Sequence, residues 1–194
     1  MEFTALQKEH LKEVFELANN TLGNNYITSS YLKQYLNSKN YLGFVLLENN
    51  KVIAFISIVI LSPSTLKKMV LKENDWFYKL AKNYPKIALQ KQTIVNPKFT
   101  NQGIGTKLVK LSIKEVTPLT DIQLSTVWKK EGDLAMEKLL LKNDFRLIKT
   151  IQNYWYKDSL NNNYNCLICG TPPCKCATEV YIKKNALVKT SAFS

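Results

Sequence analysis

The chain has 194 residues, 45% of them hydrophobic, enough for one compact domain with a substantial core. Its longest apolar run, Val52 to Leu61, falls well short of the roughly 20 residues needed to cross a bilayer, and Met1-Glu2-Phe3 begins no basic-then-apolar leader, so the cytoplasm is the expected compartment. Lys+Arg 27 against Asp+Glu 15 gives a formal +12, but the lysines are scattered and Arg146 is the only arginine, a pattern of solvated basic surface rather than of a nucleic-acid face.

The first predicted element is a helix with Leu11, Val14, Phe15 and Ala18 at helical spacing. His10, the only histidine, stands among charges at its start and is expected at the solvated surface. A second helix is expected from Ser29 to Leu36, capped by Ser29 or Ser30. Tyr41 to Leu47 and Val52 to Leu61 read as two strands about the turn Glu48-Asn49-Asn50-Lys51. Lys67 to Tyr84 is lysine-rich, and Trp76, Phe77 and Leu80 suggest a short helix within it. A strand then runs from Ile87 to Val95, stopped by Pro97, which has no N–H to give a ladder. Behind it Ile104, Leu108 and Leu111 mark one helix face, with Val109, Ile113 and Val116 beside them. Ile122 to Trp128 is the next strand and Glu131 to Lys142 the next helix, with Leu134, Leu139 and Leu141 among its apolar residues. Leu147 to Tyr156 and Thr178 to Lys183 are the closing strands. No internal repeat is visible.

The junction Thr100-Asn101-Gln102-Gly103-Ile104-Gly105-Thr106 is where chemistry is expected. Two glycines at a helix start let the backbone approach a ligand with no Cβ in the way, and the unpaired first-turn N–H groups attract anions. Such a loop suits a phosphate. It is not a P-loop, because it holds no Gly-Lys pair, and it is not a dinucleotide fingerprint, because Leu108 stands where the third glycine belongs.

The segment resembles motif A of the GNAT superfamily of N-acetyltransferases, in which Gln or Arg, two residues, Gly, one residue, and Gly or Ala follow a strand. Val95-Asn96-Pro97 matches the usual strand exit, and Gly103-Ile104-Gly105 matches the glycine part. Thr100 takes the first place, where the family has Arg or Gln. Asp133 to Phe145 resembles a later motif of the superfamily, with Met136, Leu140 and Asp144-Phe145 in its places. The order of elements also agrees, over roughly the first four-fifths of the chain.

The resemblance implies an α/β fold with a mixed, mostly antiparallel central sheet, a splayed parallel strand pair and flanking helices. It implies acetyl-CoA as co-substrate, bound by Val95, Thr100, Asn101, Gln102, Gly103, Ile104, Gly105 and Thr106. The loop would hold the pyrophosphate, and backbone N–H near Val95 would face the thioester carbonyl. Ser125, midway along the next strand, would line the same slot. Many family members protonate the leaving thiolate with a Tyr at the place where this chain has Leu140, which cannot donate. Tyr154 and Tyr156, on the following predicted strand, are the substitutes, although alternating aromatics in a sheet more often pack its core or rim. The strand before the loop has Gln90 and Gln92 and no carboxylate to act as base, so deprotonation through water, or an acceptor amine already partly neutral, is expected.

All four cysteines fall within Cys166-Leu167-Ile168-Cys169-Gly170-Thr171-Pro172-Pro173-Cys174-Lys175-Cys176. In a cytoplasmic protein this spacing reads more readily as a metal site than as disulfides. Four thiolates suit tetrahedral zinc, with Zn–S about 2.3 Å, and leave no position open for water, so the site would be structural. An iron–sulfur cluster fits the compact spacing less well. Two disulfides or four free thiols are the alternatives. Gly170 and Pro172-Pro173 would fold one cysteine pair onto the other, and Asn161-Asn162-Asn163 would be a mobile approach.

The expected protein is therefore a single domain over residues 1–194, with 158–178 a cysteine-rich insertion between the last two strands, shaping or covering the acceptor site. It would transfer an acetyl group from acetyl-CoA to a primary amine by direct attack, with no covalent intermediate. A small-molecule or peptide amine is the expected acceptor, part of the positive charge would steer CoA, and a homodimer is allowed. Membrane and nucleic acid are not expected partners. The competing reading is a catalytically degenerate acyltransferase fold whose zinc knuckle binds nucleic acid or protein, and Leu140 and Thr100 keep it open.

Overall fold

A computed structural model describes residues 1–24, 26–65, 79, 82–129 and 135–185. Its elements in chain order are β1 (Glu2–Ala5), α1 (Leu11–Leu22), α2 (Ser29–Lys33), β2 (Tyr41–Glu48), β3 (Lys51–Leu61), β4 (Ile87–Val95), α3 (Ile104–Val116), β5 (Ile122–Trp128), α4 (Ala135–Leu141), β6 (Arg146–Ile151), α5 (Tyr156–Asn162) and β7 (Thr178–Lys184). The seven strands form one mixed sheet in the order β1-β2-β3-β4-β5-β7-β6. Only β4 and β5 run parallel; every other neighbouring pair is antiparallel. Among the described residues no helix is long and apolar enough to cross a membrane.

The sheet is covered on both faces, which explains why β3 reads as a nearly unbroken apolar run instead of an alternating one. Val45, Phe55 and Leu89 join Val14, Leu17 and Leu32 of α1 and α2 in one core layer. Leu46, Ile56 and Ala88 join Leu108 and Val109 of α3 and Leu139 and Leu140 of α4 in the other. The β2–β3 hairpin turns at Asn49 and Asn50, with φ 50 and φ 59, the left-handed pair that matches the twist of the strands it joins.

α1 is tied to that hairpin by one carboxylate. Glu13 Oε2 accepts the Val52 N–H at 2.7 Å, and Oε1 meets Lys51 Nζ at 3.3 Å. The backbone bond is the main reason its pKa lies below the ordinary glutamate value, with Lys51 adding to it. A depressed folded-state pKa contributes stability above the unfolded value of 4.5, and that contribution is lost as pH falls below it. Glu13→Ala should therefore cost about 1 kcal/mol at neutral pH, discounted for solvent exposure. Urea titrations should show the difference shrinking below the ordinary glutamate pKa.

Several boundaries differ from expectation. β1 carries no strong sequence signal, being four residues long, and is held as an edge by pairing with β2. α2 is capped by Thr28 and not by Ser29 or Ser30: its Oγ1 accepts the Tyr31 N–H at 3.1 Å, and the helix ends at Lys33. His10 is half-buried, and its Nδ1 accepts the Gln7 N–H at 3.1 Å. The Lys67 to Tyr84 segment lies mostly outside the described residues, as does the first part of the Glu131 to Lys142 helix.

The largest difference follows β6. The expected strand to Tyr156 stops at Ile151, because Asn153 takes a left-handed φ of 53 and the chain turns into α5. Tyr154 thus sits in a turn and Tyr156 opens a helix. Asn161 and Asn162 belong to α5 and Asn163 is its left-handed cap, φ 47, so the segment expected as a mobile approach is the end of a helix. Asparagine tolerates that backbone better than other residues with a Cβ.

Candidate active site

Two strands that part company make the site. β4 and β5 pair only from Ile87↔Ile122 to Gln90↔Ser125. Beyond that, β4 stays with β3 as far as Val95, and β5 stays with β7 as far as Trp128. The parting coincides with a bulge: the β3–β4 register passes from Ile58↔Gln90 to Ser57↔Gln92, leaving Lys91 as the extra residue. A cavity of about 210 Å3 opens in the fork. Its floor includes Gln90, Lys91, Gln92 and Ser125, and its walls come from Tyr26, Met136, Trp155 and Tyr164.

The polar groups at the fork are in different states. Gln92 is anchored: its Oε1 accepts from Tyr31 Oη at 2.7 Å and from Ser57 Oγ, and Tyr31 and Tyr35 share a bond of 2.6 Å. Gln90 is 2% exposed, yet neither Nε2 nor Oε1 finds a partner. Tyr26 stands edge-on to Tyr164 at 4.9 Å, and Tyr164 Oη donates to Asp158 Oδ2 at 3.0 Å. Burial pushes both phenols far above the ordinary tyrosine pKa, so at neutral pH both are protonated.

The loop leaves β4 on the α3 side. The Asn96 N–H turns to Ile53 O of β3 at 2.8 Å, so the alternation of strand N–H groups directs that of Val95 toward the fork. Asn96 Oδ1 then accepts the Lys98 N–H at 3.0 Å. Thr100 Oγ1 donates to Pro97 O at 2.9 Å, and Gln102 Nε2 donates to Lys98 O at 3.2 Å, so both side chains brace the turn. Asn101 takes a φ of 61 and Gly103 a φ of 74, and Gly103 is the N-cap of α3. Ile104 is buried and anchors the helix, whereas a Cβ at Gly103 would meet nothing within 4 Å. Thr106 is half-buried on the first turn.

The four cysteines come together. Their Sγ atoms all lie within 4.8 Å of one another, with Cys166–Cys176 at 3.8 Å and Cys169–Cys176 at 3.5 Å. A disulfide needs about 2.05 Å. The Cys166–Cys176 and Cys169–Cys176 separations instead lie near the edge of a tetrahedron with metal–sulfur bonds of about 2.3 Å, which is about 3.8 Å. Backbone N–H groups aim at the sulfurs: Ile168 and Cys169 at Cys166 Sγ, 3.4 and 3.5 Å, and Lys175 at Cys169 Sγ, 3.3 Å. The Lys175 bond holds the Cys169 thiol below its ordinary pKa, while burial pushes Cys176 up to about 11 and Cys174 higher still. The Trp128 indole N–H helps to lower the Cys176 thiol pKa without reaching hydrogen-bond geometry. Cys166 and Cys174 line the cavity at the fork.

Gly23 lets this knuckle dock on α1. A Cβ there would lie 2.0 Å from Asn165 O, a backbone atom that cannot rotate away. Gly23→Ala should push the segment before Cys166 off α1 and open the cavity wall. Faster amide exchange over residues 164–176 is the expected readout, and unchanged exchange would contradict the packing.

Over residues 11–127, more than half of its length, the sequence matches the Acetyltransferase (GNAT) family. The chain belongs to the GNAT family. Its fold is similar to that of the ribosomal-protein-S18-alanine N-acetyltransferase from Escherichia coli, with TM-score 0.67 and 13% identity over 100% of this chain and 99% of that one. It is also similar to Arabidopsis thaliana NAA60 in complex with a bisubstrate analogue, with TM-score 0.66 and 11% identity over 94% of this chain and 97% of that one. A GNAT-like decarboxylase, GphF, in complex with isobutyryl-CoA is similar as well, with TM-score 0.65 and 12% identity over 95% and 99% of the two chains. At these identities the likeness speaks to fold, and the GphF neighbour shows that the GNAT scaffold serves more than one reaction. No curated protein matches the sequence.

Set against this GNAT frame, the expected site residues divide. Ser125 is buried and lines the cavity. Tyr156 is 42% exposed on α5 and is not among the lining residues. Tyr154, packed edge-on to Trp155 at 5.0 Å, is not among the lining residues. Leu140 is fully buried in the core beside α3, so that place supplies packing and no proton. Tyr26, Lys91 and Tyr164 escaped the sequence reading. Tyr26 and Tyr164 lie in connections between elements, where no periodicity marks them. Lys91 lies between Gln90 and Gln92, and only the bulge turns it into the fork.

Proposed function

We propose that this GNAT family member is an N-acetyltransferase that moves an acetyl group from acetyl-CoA to a primary amine by direct attack. One observation carries the reading: the fork opens a cavity beside Gln90 and Ser125, and the strand that leaves it ends in a glycine-bearing helix start. The free first-turn N–H groups of α3, around Gly103, Ile104, Gly105 and Thr106, are suited to a pyrophosphate. Thr100, Asn101 and Gln102 shape the turn that presents them. The Val95 N–H, directed into the fork, would stabilise the oxyanion that forms as the amine attacks the thioester carbon. As the C–S bond breaks, the protonated Tyr26 phenol would give its proton to the leaving thiolate, and the proton that the attacking nitrogen loses would return to the phenolate through water. Ser125 would help orient the thioester.

In this reading residues 1–194 act as one unit, and 158–178 form an insertion in which Cys166, Cys169, Cys174 and Cys176 hold a structural zinc ion. Four thiolates fill a tetrahedral shell, so the metal would stiffen the cavity wall and take no part in the transfer. The acceptor is a small-molecule or peptide amine. Calorimetry with acetyl-CoA tests the proposal, followed by thiol detection of CoA released with a panel of amines. A correctly folded protein that binds no acetyl-CoA would overturn it and favour the competing reading, a binding module on a degenerate scaffold, for which the buried Leu140 speaks.

A further inference from the structure

The cavity at the fork is chemically one-sided. Among the described residues that line it none is acidic, and Lys91 is the cation. Strand residues in succession ordinarily face opposite ways, but the bulge brings Gln90, Lys91 and Gln92 to the lining of one cavity. The Gln92 Oε1 is already engaged by Tyr31 and Ser57. Gln90 is buried with a free amide, and such a group normally has a partner. Among the described residues Lys91 forms no ion pair. The acid whose field reaches it, Asp158, is held by Tyr164 Oη at 3.0 Å and Asn162 Nδ2 at 2.8 Å. Burial lowers the pKa of the Lys91 ammonium from its ordinary value, and a bound counter-ion would favour the charged form. Around these two groups the walls are largely aromatic and apolar: Tyr26, Trp128, Met136, Trp155 and Tyr164.

Resting on the acetyl-transfer reading above, we infer that the acceptor amine also bears a carboxylate and has the size of a single amino acid with an apolar or aromatic body. The carboxylate pairs with Lys91 Nζ and the buried Gln90 amide, and the body packs on Tyr26 and Trp155. The volume, about 210 Å3, lies below the roughly 300–1,000 Å3 of sites for drug-sized ligands. A protein lysine or N-terminus carries no neighbouring carboxylate and would leave Lys91 and the Gln90 amide without a partner.

The test uses the full-length chain and three related amines: phenylalanine, phenylalaninamide and phenethylamine. Acetyl-CoA affinity is measured first, because its absence overturns the acetyl-transfer reading itself. With acetyl-CoA bound, CoA release should proceed with a kcat/KM for phenylalanine at least about tenfold above that for either uncharged-tail analogue, the size expected of one charge-assisted contact. Lys91→Met and Lys91→Gln should collapse that ratio toward one, with acetyl-CoA affinity reporting that each variant is folded. Equal rates, or a preference for the amide or the decarboxylated amine, would overturn the inference. If none of the three turns over, their binding to the acetyl-CoA complex is measured by calorimetry, and tighter binding of phenylalanine that depends on Lys91 supports it. Equal or absent binding overturns it.

Discussion

Replacing Gly105 by alanine should leave the protein at least as stable as before and weaken acetyl-CoA binding by roughly tenfold or more, the equivalent of one good charge-assisted hydrogen bond. The stability half of the expectation follows from the surroundings. Gly105 is a helical residue whose added Cβ would meet only Val95 Cγ2, at 3.5 Å, an ordinary contact. Alanine is favoured over glycine in a helix by about 1 kcal/mol. Nothing inside the protein calls for a glycine there, so the space is available to a ligand. Gly103 is different: its φ of 74 is left-handed, and a side chain there should cost about 1–2 kcal/mol even though nothing obstructs it. Thermal melts and calorimetry on Gly105→Ala and on the double variant Gly103→Ala, Gly105→Val would separate stability from binding. Native coenzyme affinity in the folded double variant would remove the loop from the site, and the proposed function with it.

The second large effect concerns the cysteines. Purified protein should carry one equivalent of zinc, and Cys174→Ser should lose it and melt at a lower temperature. For a chain of this size each kcal/mol lost lowers the midpoint by about 2–4 °C. Because Cys166 and Cys174 line the cavity, metal loss should raise the KM for the acceptor far more than the Kd for acetyl-CoA, whose loop lies on the other side of β4. The pH dependence has a definite sign. Burial holds Cys174 and Cys176 as thiols at neutral pH in the absence of metal, so zinc must displace their protons and its affinity should fall as pH drops. Stoichiometric titration of four free thiols in freshly purified, zinc-free protein would rule the site out.

How far residues alone carried these conclusions varies along the chain. The β2–β3 hairpin was legible because Asn49-Asn50 is a local turn signal between apolar runs, and both residues adopt the backbone that such a turn needs. The β4–loop–α3 unit was legible because Pro97 and the glycines punctuate it and the period changes behind them. The end of β6 was not. Leu147 to Tyr156 has the aromatic and β-branched content of a strand, and a single left-handed residue, Asn153, redirects it into a helix. Tyr154 and Tyr156 inherited the error, being assigned to a strand face that does not exist. Gln90 and Gln92 were noticed only as missing carboxylates, since their opposite hydrogen-bonding states depend on what lies across the sheet.

Local patterns were sufficient for the scaffold and for the two clusters of chemically distinctive residues, the glycine loop and the cysteines, because turn chemistry, periodicity and ligand spacing act over a few neighbouring positions. What tertiary structure alone decided is the cavity. It exists because β4 and β5 separate after Gln90 and Ser125, and its walls come from residues as distant in the chain as Tyr26, Lys91, Trp155 and Cys174. No local rule brings those side chains together, since their meeting depends on how sheet, helices and knuckle pack against one another.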